Sequence, residues 1–367
     1  MIQPPSARRV VFMLPGPLEA LSGGTIYDRQ IVEGLRRMHW QVDLLSLAGG
    51  FPWPDAAALD EAADRVAQLP DGACVVADAL AFGAMPDIVQ RHGRRLRWVA
   101  LVHHPLALET GLTAAQRQQL FASERRALAA ARGVIVTSAT TAAALADYGV
   151  PPAQVHVVEP GTRPALLAAG SPDTGHGVAC TLLCVATLTP RKGHAVLLDA
   201  LAGLQDRNWT LHCVGDTHRD AATTRDLRAR IAALGLAQRV LLHGELDHAA
   251  VQAMYQSADV FVLASYYEGY GMALAEALAS GLPVISTTGG AIADTVPADA
   301  GVLVPPGDSA ALHAALARLL DEPRWRVELA AGARRARARL PDWPVAVGRF
   351  ACALEVMEHG AMATRVP

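Results

Sequence analysis

The sequence predicts an α/β protein made of two doubly wound domains, each with a parallel sheet. Short β-branched runs alternate with Ala/Leu-rich helical stretches along all 367 residues, and the apolar runs are continuous rather than alternating. Such runs are typical of parallel strands that helices cover on both faces. Because single cores rarely grow beyond about 250 to 300 residues, a chain of this length is expected to form two domains.

Each half of the chain supplies six predicted strands. In the first half they span residues 10–14, 42–47, 74–77, 98–102, 134–137 and 155–159. In the second half they span residues 182–186, 210–214, 240–243, 260–264, 283–286 and 301–304. The clearest Gly/Pro/Ser-rich break is AAGSPDTGHG at 168–177, and we place the linker there. The predicted domains are therefore 1–170 and 171–340, followed by a C-terminal segment, 341–367.

Charge and cysteine content limit the partners and the compartment. A net charge of −3, spread without long single-sign runs, argues against nucleic acid as the main partner. The five cysteines show no Cys-x-x-Cys spacing, so we interpret them as small core residues in a reducing compartment. With no apolar run of 18 residues and nothing that resembles a signal peptide, a cytoplasmic protein is expected, at most peripheral to a membrane.

The densest basic cluster is RHGRRLRW at 91–98. It allows two interpretations: peripheral contact with an anionic membrane surface or a phosphorylated acceptor, and a solvated loop before a strand. We favour the solvated loop.

Lysine occurs once in the chain, as Lys192 in ATLTPRKG, whereas the other 31 of the 32 basic side chains are arginine. Lys192 follows the first strand of the second half by a few residues. Doubly wound sheets bind ligands at the carboxyl ends of their strands, so Lys192 is expected to face a cleft between two such sheets. A compact ammonium suits a crowded phosphate site better than the wide fork of arginine. A solvated loop lysine is the alternative.

A second informative stretch is ASYYEGYGMALAEALASGLPVIST at 264–287, which follows an apolar strand. Gly269 and Gly271 interrupt the chain before a helix-forming run, and a helix N-terminus is a site for phosphate. Glu268 and Glu276 flank that site, where phosphate would repel them and hydroxyl groups would not. A diphosphate with a hydroxyl-rich group at each end is a nucleotide sugar, which places Glu276 on the ribose and Glu268 on the sugar. Two surface glutamates at a helix start are the alternative for this weak pattern.

The segment SADVFVLASYYEGYGMALAEALASGLPVISTTGGAIADTV at 257–296 resembles the C-terminal signature of retaining glycosyltransferases of family GT4. Residues 301–308 (GVLVPPGD), 191–193 (RKG) and 22–37 (SGGTIYDRQIVEGLRR) extend the resemblance over most of the chain. It implies the GT-B fold, with an acceptor-binding and a donor-binding Rossmann-like domain. It also implies a hexosyltransferase that uses a nucleotide-diphosphate sugar, retains anomeric configuration and needs no metal. The chain itself contains no Asp-x-Asp, which fits the absence of a metal cofactor.

The resemblance also implies positions for the donor. Four residues match the turn whose backbone amides contact sugar and diphosphate: Tyr270, Gly271, Met272 and Ala273. Gly23 and Gly24 match a glycine loop that closes over the diphosphate. Leu246, in LHGELDH, matches a loop that packs against the base, with a core or turn leucine as the alternative.

One position beside the predicted phosphate site departs from the family pattern. Lys192 matches the phosphate-binding lysine, but Thr187 stands where many members have an arginine beside it. Arg191 either supplies that missing charge or points away. His103 directly follows a predicted strand and matches a histidine beside the donor sugar, while His104 is the alternative or a loop residue.

The C-terminal stretch DWPVAVGRFACALEVM at 342–357 resembles the family's last helix, which crosses back to the N-terminal domain. The acceptor remains open between a glycan, a lipid-linked group and a small molecule. Two other functions also stay open: a nucleotide-sugar epimerase of the same fold, and a sugar-nucleotide-binding protein without turnover. A dehydrogenase is disfavoured because neither half opens with Gly-x-Gly-x-x-Gly.

Overall fold

The computed structural model describes residues 8–19, 22–171 and 179–359. The chain divides into two compact units, the first comprising Met1–Gly161 with Pro341–Pro367 and the second comprising Thr162–Leu340. The second unit thus begins ahead of the 168–177 segment in which we predicted the linker. Residues 172–177 of that segment lie outside the described residues.

Each of the twelve predicted strands is confirmed to within two residues at either end. The strands are β1 (Arg9–Leu14), β2 (Gln41–Ser46), β3 (Cys74–Asp78), β4 (Arg97–Val102), β5 (Gly133–Val136), β6 (Val155–Val157), β7 (Cys180–Val185), β8 (Trp209–Val214), β9 (Val240–Gly244), β10 (Val260–Leu263), β11 (Val284–Thr287) and β12 (Gly301–Val304).

The strands form two six-stranded sheets, one in each unit. The first has the order β2-β1-β3-β4-β5-β6 and the second the order β12-β11-β10-β7-β8-β9. All the pairings between neighbouring strands are parallel. Strand order reverses between β1 and β3 in the first sheet and between β7 and β10 in the second. Ligands of doubly wound proteins bind outside the carboxyl ends of the strands at such a reversal.

Helices connect the strands, as parallel pairing requires. They are α1 (Gly23–Arg37), α2 (Ala56–Ala67), α3 (Ala79–Phe82), α4 (Pro86–His92), α5 (Ala114–Leu128), α6 (Ala139–Ala144), α7 (His194–Ala202), α8 (Ala221–Ala233), α9 (His248–Ser257), α10 (Met272–Ala279), α11 (Ile292–Thr295), α12 (Ser309–Asp321), α13 (Pro323–Arg337) and α14 (Trp343–His359).

Most strand residues in the interior of each sheet are buried. Every residue of β3, β5 and β10 is buried, as expected where helices cover both faces. Cys74, Cys180, Cys184 and Cys213 are buried, which confirms their interpretation as core residues, whereas Cys352 on α14 is exposed.

The last helix, α14, completes the core of the first unit by packing on α1. Gly34 of α1 lies so close to α14 that a Cβ atom there would come within 2.3 Å of Val347 Cγ2. Tyr27, Trp343 and Phe350 pack their rings together in this contact and are buried. The close approach of the two helices therefore depends on glycine at position 34.

The basic cluster at 91–98 spans the end of α4, the turn after it and the first two residues of β4, and within it Arg91 and Arg94 are exposed. Arg95 donates to the carbonyl oxygen of Val66 at 2.6 Å, and Arg97 pairs with Glu358 at 3.0 Å. These two arginines therefore hold the turn in place. Within the described part of the chain, none of the helices combines the length and the apolar character that crossing a membrane requires.

Candidate active site

Lys192 and Glu268 form an ion pair at the strand-order reversal of the second sheet. Lys192 ends a short 3-10 turn after β7, and Glu268 follows β10, the neighbouring strand. The Lys192 Nζ donates to Glu268 Oε1 at 2.6 Å, and the Ser265 hydroxyl donates to the same oxygen at 2.6 Å. The side chains of Lys192 and Glu268 are only 17% and 8% exposed. Two residues that the sequence singled out separately are thus direct partners.

Arg191 points toward this pair rather than away from it. Its Nη1 lies 3.6 Å from Glu268 Oε2 and donates to the carbonyl oxygen of Tyr267 at 2.7 Å. Its own carbonyl oxygen accepts from the Tyr266 amide at 2.8 Å, which ties the turn to the segment after β10. Two cations therefore share the Glu268 carboxylate.

The charges of the pair shift one another's pKa. Burial alone would raise the pKa of Glu268, but the charges of Lys192 and Arg191, with the hydrogen bonds from Lys192 and Ser265, lower it below its usual value. Burial lowers the pKa of Lys192, and the Glu268 carboxylate opposes that effect. An anion that approached Lys192 would further favour the charged ammonium.

Gly193 fixes the position of Lys192. It has a φ of +66°, and a Cβ atom at this position would lie 1.9 Å from the carbonyl oxygen of Ala264. The turn after β7 therefore packs directly on the end of β10, and any side chain at Gly193 would push Lys192 away from Glu268.

The N-terminus of α10 opens at the same edge of the sheet. Gly271 precedes the helix with a φ of +90°, and no side chain caps the helix. The first turn contains no acidic residue. The Tyr270 carbonyl oxygen accepts from the Thr295 hydroxyl at 2.7 Å, which anchors the chain just before the helix. The amides of Met272 and Ala273 lie in the first turn, where helical N–H groups have no partner within the helix.

Glu276 lies one turn further along α10 and is held by a tyrosine. The Tyr255 hydroxyl donates to Glu276 Oε2 at 3.0 Å, and Tyr255 itself is fully buried on α9. Burial raises the pKa of Glu276, while Tyr255 and the nearby charge of Arg163 oppose the rise. The Tyr255 hydroxyl thus orients the Glu276 carboxylate.

Leu246 lies in the turn between β9 and α9. It is partly buried and packs against the core of the second unit. The next residue, Asp247, caps α9 by accepting from the Ala250 amide at 2.8 Å. Leu246 therefore lies in a turn and against the core, and its contact with a nucleotide base stays a prediction.

In the first unit, His103 directly follows β4, as predicted, and meets two carboxylates. Its Nε2 lies 3.2 Å from Asp28 Oδ1 and 3.5 Å from Asp78 Oδ2. Asp28 lies on α1 and Asp78 ends β3, and both are buried. Within the described residues, these three side chains form the one His/Cys/Asp/Glu group close enough to surround a metal ion, with potential ligand atoms within 4.8 Å of one another. The shortest distance in this group is explained by the hydrogen bond between His103 and Asp28, which needs no metal ion.

The glycine pair near the N-terminus is helical, which corrects the prediction of a loop. Gly23 and Gly24 are the first two residues of α1, because the Ser22 hydroxyl accepts from the Thr25 amide at 3.2 Å and caps the helix there. A Cβ atom on Gly24 would lie 3.2 Å from Cδ2 of His103, so the glycine backbone borders the imidazole ring.

His104 turns to the following loop instead. Its Nε2 lies 3.4 Å from Glu109 Oε2. Of the two neighbouring histidines, His103 is the one that buried carboxylates hold, whereas His104 pairs with a half-exposed residue of the loop.

Sequence reasoning missed four residues that complete these contacts: Asp28, Asp78, Tyr255 and Ser265. Asp78 could have been found, since it ends a strand next to the strand before His103. Asp28 lies four residues after Gly24, on the helix that follows the glycine pair. Tyr255 and Ser265 carry no such signal, because only the packing of α9 and the turn after β10 brings them to the glutamates.

Solved structures with the same architecture define the fold class as GT-B. Sucrose-phosphate synthase from Thermosynechococcus elongatus superposes with a TM-score of 0.81 at 23% identity, covering 96% of this chain and 100% of that one. Anabaena HepE in complex with UDP-glucose gives a TM-score of 0.74 at 18% identity, with 95% and 99% covered. At these identities the likeness establishes the GT-B fold.

Sequence comparison then gives the family. Residues 21–166 match the model for Glycosyltransferase Family 4, and residues 179–322 match the model for Glycosyl transferases group 1. The MMP alpha-(1->4)-mannosyltransferase of Mycolicibacterium hassiacum is 30% identical over 316 residues, 82% of this chain and 74% of that protein. The D-inositol 3-phosphate glycosyltransferase of Thermomonospora curvata is 32% identical over 248 residues, which cover 62% of this chain and 57% of that protein. The chain belongs to the group 1 glycosyltransferases of family 4, and the family resemblance in the sequence is confirmed.

Proposed function

We propose that the protein transfers a sugar from a nucleotide-diphosphate sugar to an acceptor hydroxyl, with retention of anomeric configuration and without a metal ion. The observation that supports this most is the position of two cations, Lys192 and Arg191, at the edge of the sheet where the N-terminus of α10 opens. The relatives described above are glycosyltransferases, which favours transfer over epimerisation and over binding without turnover. The complexes of HepE with UDP and UDP-glucose support a nucleotide donor.

The diphosphate of the donor binds, in this proposal, against the first turn of α10. The amides of Met272 and Ala273 and the helix dipole favour an anion there. Lys192 supplies the full positive charge on the leaving phosphate, and Arg191 stands in for the arginine that Thr187 replaces. Both cations are partly shielded from water, which strengthens their effect on a nearby charge.

Lys192 then exchanges partners when the donor binds. In the structure its ammonium bonds to Glu268 at 2.6 Å, and phosphate oxygens would compete for that ammonium. Glu268 keeps the Ser265 hydroxyl and gains the capacity to accept a hydrogen bond from a sugar hydroxyl. The ion pair thus keeps the carboxylate ionised and in place until the sugar arrives.

Glu276 binds the ribose diol in this proposal. A carboxylate accepts hydrogen bonds from two neighbouring hydroxyls, and Tyr255 fixes its orientation through Oε2. The distance along the helix from the first turn to Glu276 is about one turn, or ~5 Å, which suits a diphosphate on one side and a ribose on the other.

The chemical step follows from where charge develops. The bond between the anomeric carbon and the diphosphate oxygen breaks, and its electron pair moves to the leaving phosphate. The acceptor oxygen forms the new bond on the same face, and its proton passes to the departing phosphate, an account that the family resemblance supplies. Lys192 and the α10 N-terminus stabilise the negative charge that grows on the phosphate.

A donor screen tests the proposal. A panel of nucleotide-diphosphate sugars is added to the protein, and the donor that raises Tm most is carried into a transfer assay with candidate acceptors. We expect net transfer that persists in a chelator, with the donor's anomeric configuration retained in the product by NMR. A requirement for an added divalent metal, or an inverted product, would refute the mechanism. An isomerised sugar without transfer would instead establish the epimerase.

A further inference from the structure

The His103 ring is held on one edge by carboxylates from two different elements. Asp28 comes from α1, and Asp78 comes from the end of β3, whose neighbour β4 delivers His103. Both carboxylates face Nε2, at 3.2 and 3.5 Å, and they are only 2% and 5% exposed. An ionised carboxylate oxygen only accepts hydrogen bonds, so Asp28 at 3.2 Å favours a hydrogen on Nε2 of His103.

Other groups fix the rest of the residue. Gly24 borders the Cδ2 atom, and the Tyr27 ring meets the imidazole edge-on with centroids 5.3 Å apart. The Thr137 hydroxyl donates to the His103 carbonyl oxygen at 3.2 Å. Across the described parts of the chain, no protein group hydrogen-bonds to Nδ1, the nitrogen on the opposite edge, and the side chain is 20% exposed. The constrained edge of the ring therefore faces inward.

The charges of the cluster support the same arrangement. Burial and the neighbouring Asp28 raise the pKa of Asp78 to about 7, as expected when two buried carboxylates lie together. Burial alone would lower the pKa of His103, but Asp28 and Asp78 outweigh it and raise the pKa above its usual value. The two aspartates therefore favour a protonated His103 ring, and Asp78, which is hydrogen-bonded to Asp28, is partly protonated near pH 7.

We propose that Asp28 and Asp78 are positioning residues for His103: they hold its Nε2–H inward and their negative charge favours the imidazolium form, whose Nδ1–H is then a fixed donor to a substrate oxygen. This inference rests on the proposed function, because it assumes that His103 contacts substrate during transfer. The groups that face the ring are Tyr27 and Asp28 from α1 and Asp78 from β3. The two carboxylates are the charged members of this set.

An NMR titration tests the positioning without any need for activity. The ring nitrogens of His103 are assigned by comparison with His103→Gln and followed against pH in wild type, Asp28→Asn and Asp78→Asn. We expect Asp28→Asn to lower the pKa of His103 by about one unit or more, since it removes the closest opposite charge. Asp78→Asn, which imitates the protonated carboxyl, should lower it less. An unchanged His103 pKa in Asp28→Asn would overturn the proposal, even if the protein proves to be a glycosyltransferase.

Kinetics give the second measurement. In the wild type, we expect kcat/KM to fall at high pH as His103 loses its proton, and the fall to begin about one pH unit lower in Asp28→Asn. At neutral pH, kcat of Asp28→Asn should be about tenfold lower than that of the wild type, with little change in the donor KM. This is the result expected when a contact to the substrate is misplaced and donor binding is retained. Asp43→Asn is the control, because Asp43 lies on β2, is partly exposed and pairs with Arg9 of β1. Stoichiometric binding of Zn²⁺ or Mn²⁺ that Asp28→Asn abolishes would overturn the proposal in favour of a metal site.

Discussion

Replacing Lys192 by methionine removes the ammonium but keeps most of the length and the apolar stem of the side chain. The Nζ atom lies in a site that is only 17% exposed, so water compensates little for the lost charge. Removal of one preorganised donor from a developing oxyanion typically costs about 3 to 4 kcal/mol, or 10²- to 10³-fold in kcat. Arg191, 3.6 Å from Glu268, remains nearby and should keep the loss within this range. We therefore expect kcat at saturating donor to fall by about 10²- to 10³-fold.

The same substitution also affects stability, and a double variant separates the two effects. Breaking a buried ion pair typically costs about 3 to 5 kcal/mol, because the remaining charge is buried without its partner. Glu268 would keep Arg191 and Ser265, so the cost in urea unfolding should lie at or below the lower end. Lys192→Met combined with Glu268→Gln should recover most of the stability without recovering turnover. Recovery of both would show that Lys192 acts only through folding.

Two further variants complete the test. Lys192→Arg should fold but lose much of its turnover, because Gly193 packs on Ala264 and leaves little space for a planar fork. Arg230→Met is the matched control, since it breaks a more exposed ion pair with Asp199 in the same unit, which typically costs at most about 1 kcal/mol. Wild-type turnover in Lys192→Met would show that Lys192 does not contact the leaving phosphate. Wild-type turnover in Lys192→Arg would refute the argument that the site requires a compact ammonium.

Three other outcomes are expected. Glu276→Gln should weaken binding of the free nucleoside diphosphate about tenfold in calorimetry, whereas Glu268→Gln should leave that affinity unchanged and lower the rate of sugar transfer. Equal nucleotide affinity in wild type and Glu276→Gln would remove the ribose assignment. Transfer should continue in excess chelator, and loss of activity that added Mg²⁺ or Mn²⁺ restores would contradict this. Glu124, fully buried on α5, has a pKa that burial raises to about 8, so the folded state keeps a proton that the unfolded state loses above its ordinary pKa of 4.5. Glu124 should therefore contribute a fall of about 4 kcal/mol in the free energy of unfolding between pH 5 and pH 8, and Glu124→Gln should remove that share in urea titrations while the share of Asp78 remains.

The strands and the main site residues could be predicted because their signals are local. Continuous apolar runs mark the strands, and Glu268 and Glu276 stand beside a glycine turn that follows one. The ion pair between Lys192 and Glu268 could not be predicted in this way, since 76 positions separate the two and only the order of strands β7 and β10 makes them neighbours. Gly23 and Gly24 show the opposite case, where a local glycine signal for a loop is overridden by the cap that Ser22 provides.

The packing of α14 on α1 has a consequence for biosynthesis. Residues up to Gly161 leave the ribosome early, but the surface that α14 covers stays open until the last helix has been made. About 180 residues intervene, which takes roughly 9 to 36 s at the usual rate of 5 to 20 residues per second. Throughout that interval the nascent first unit exposes the ring of Tyr27 and the groove around Gly34, where Val347 will later bind. A chain that stops before α14 would retain every site residue named above, yet we expect it to aggregate, because α1 would have no cover for its apolar face.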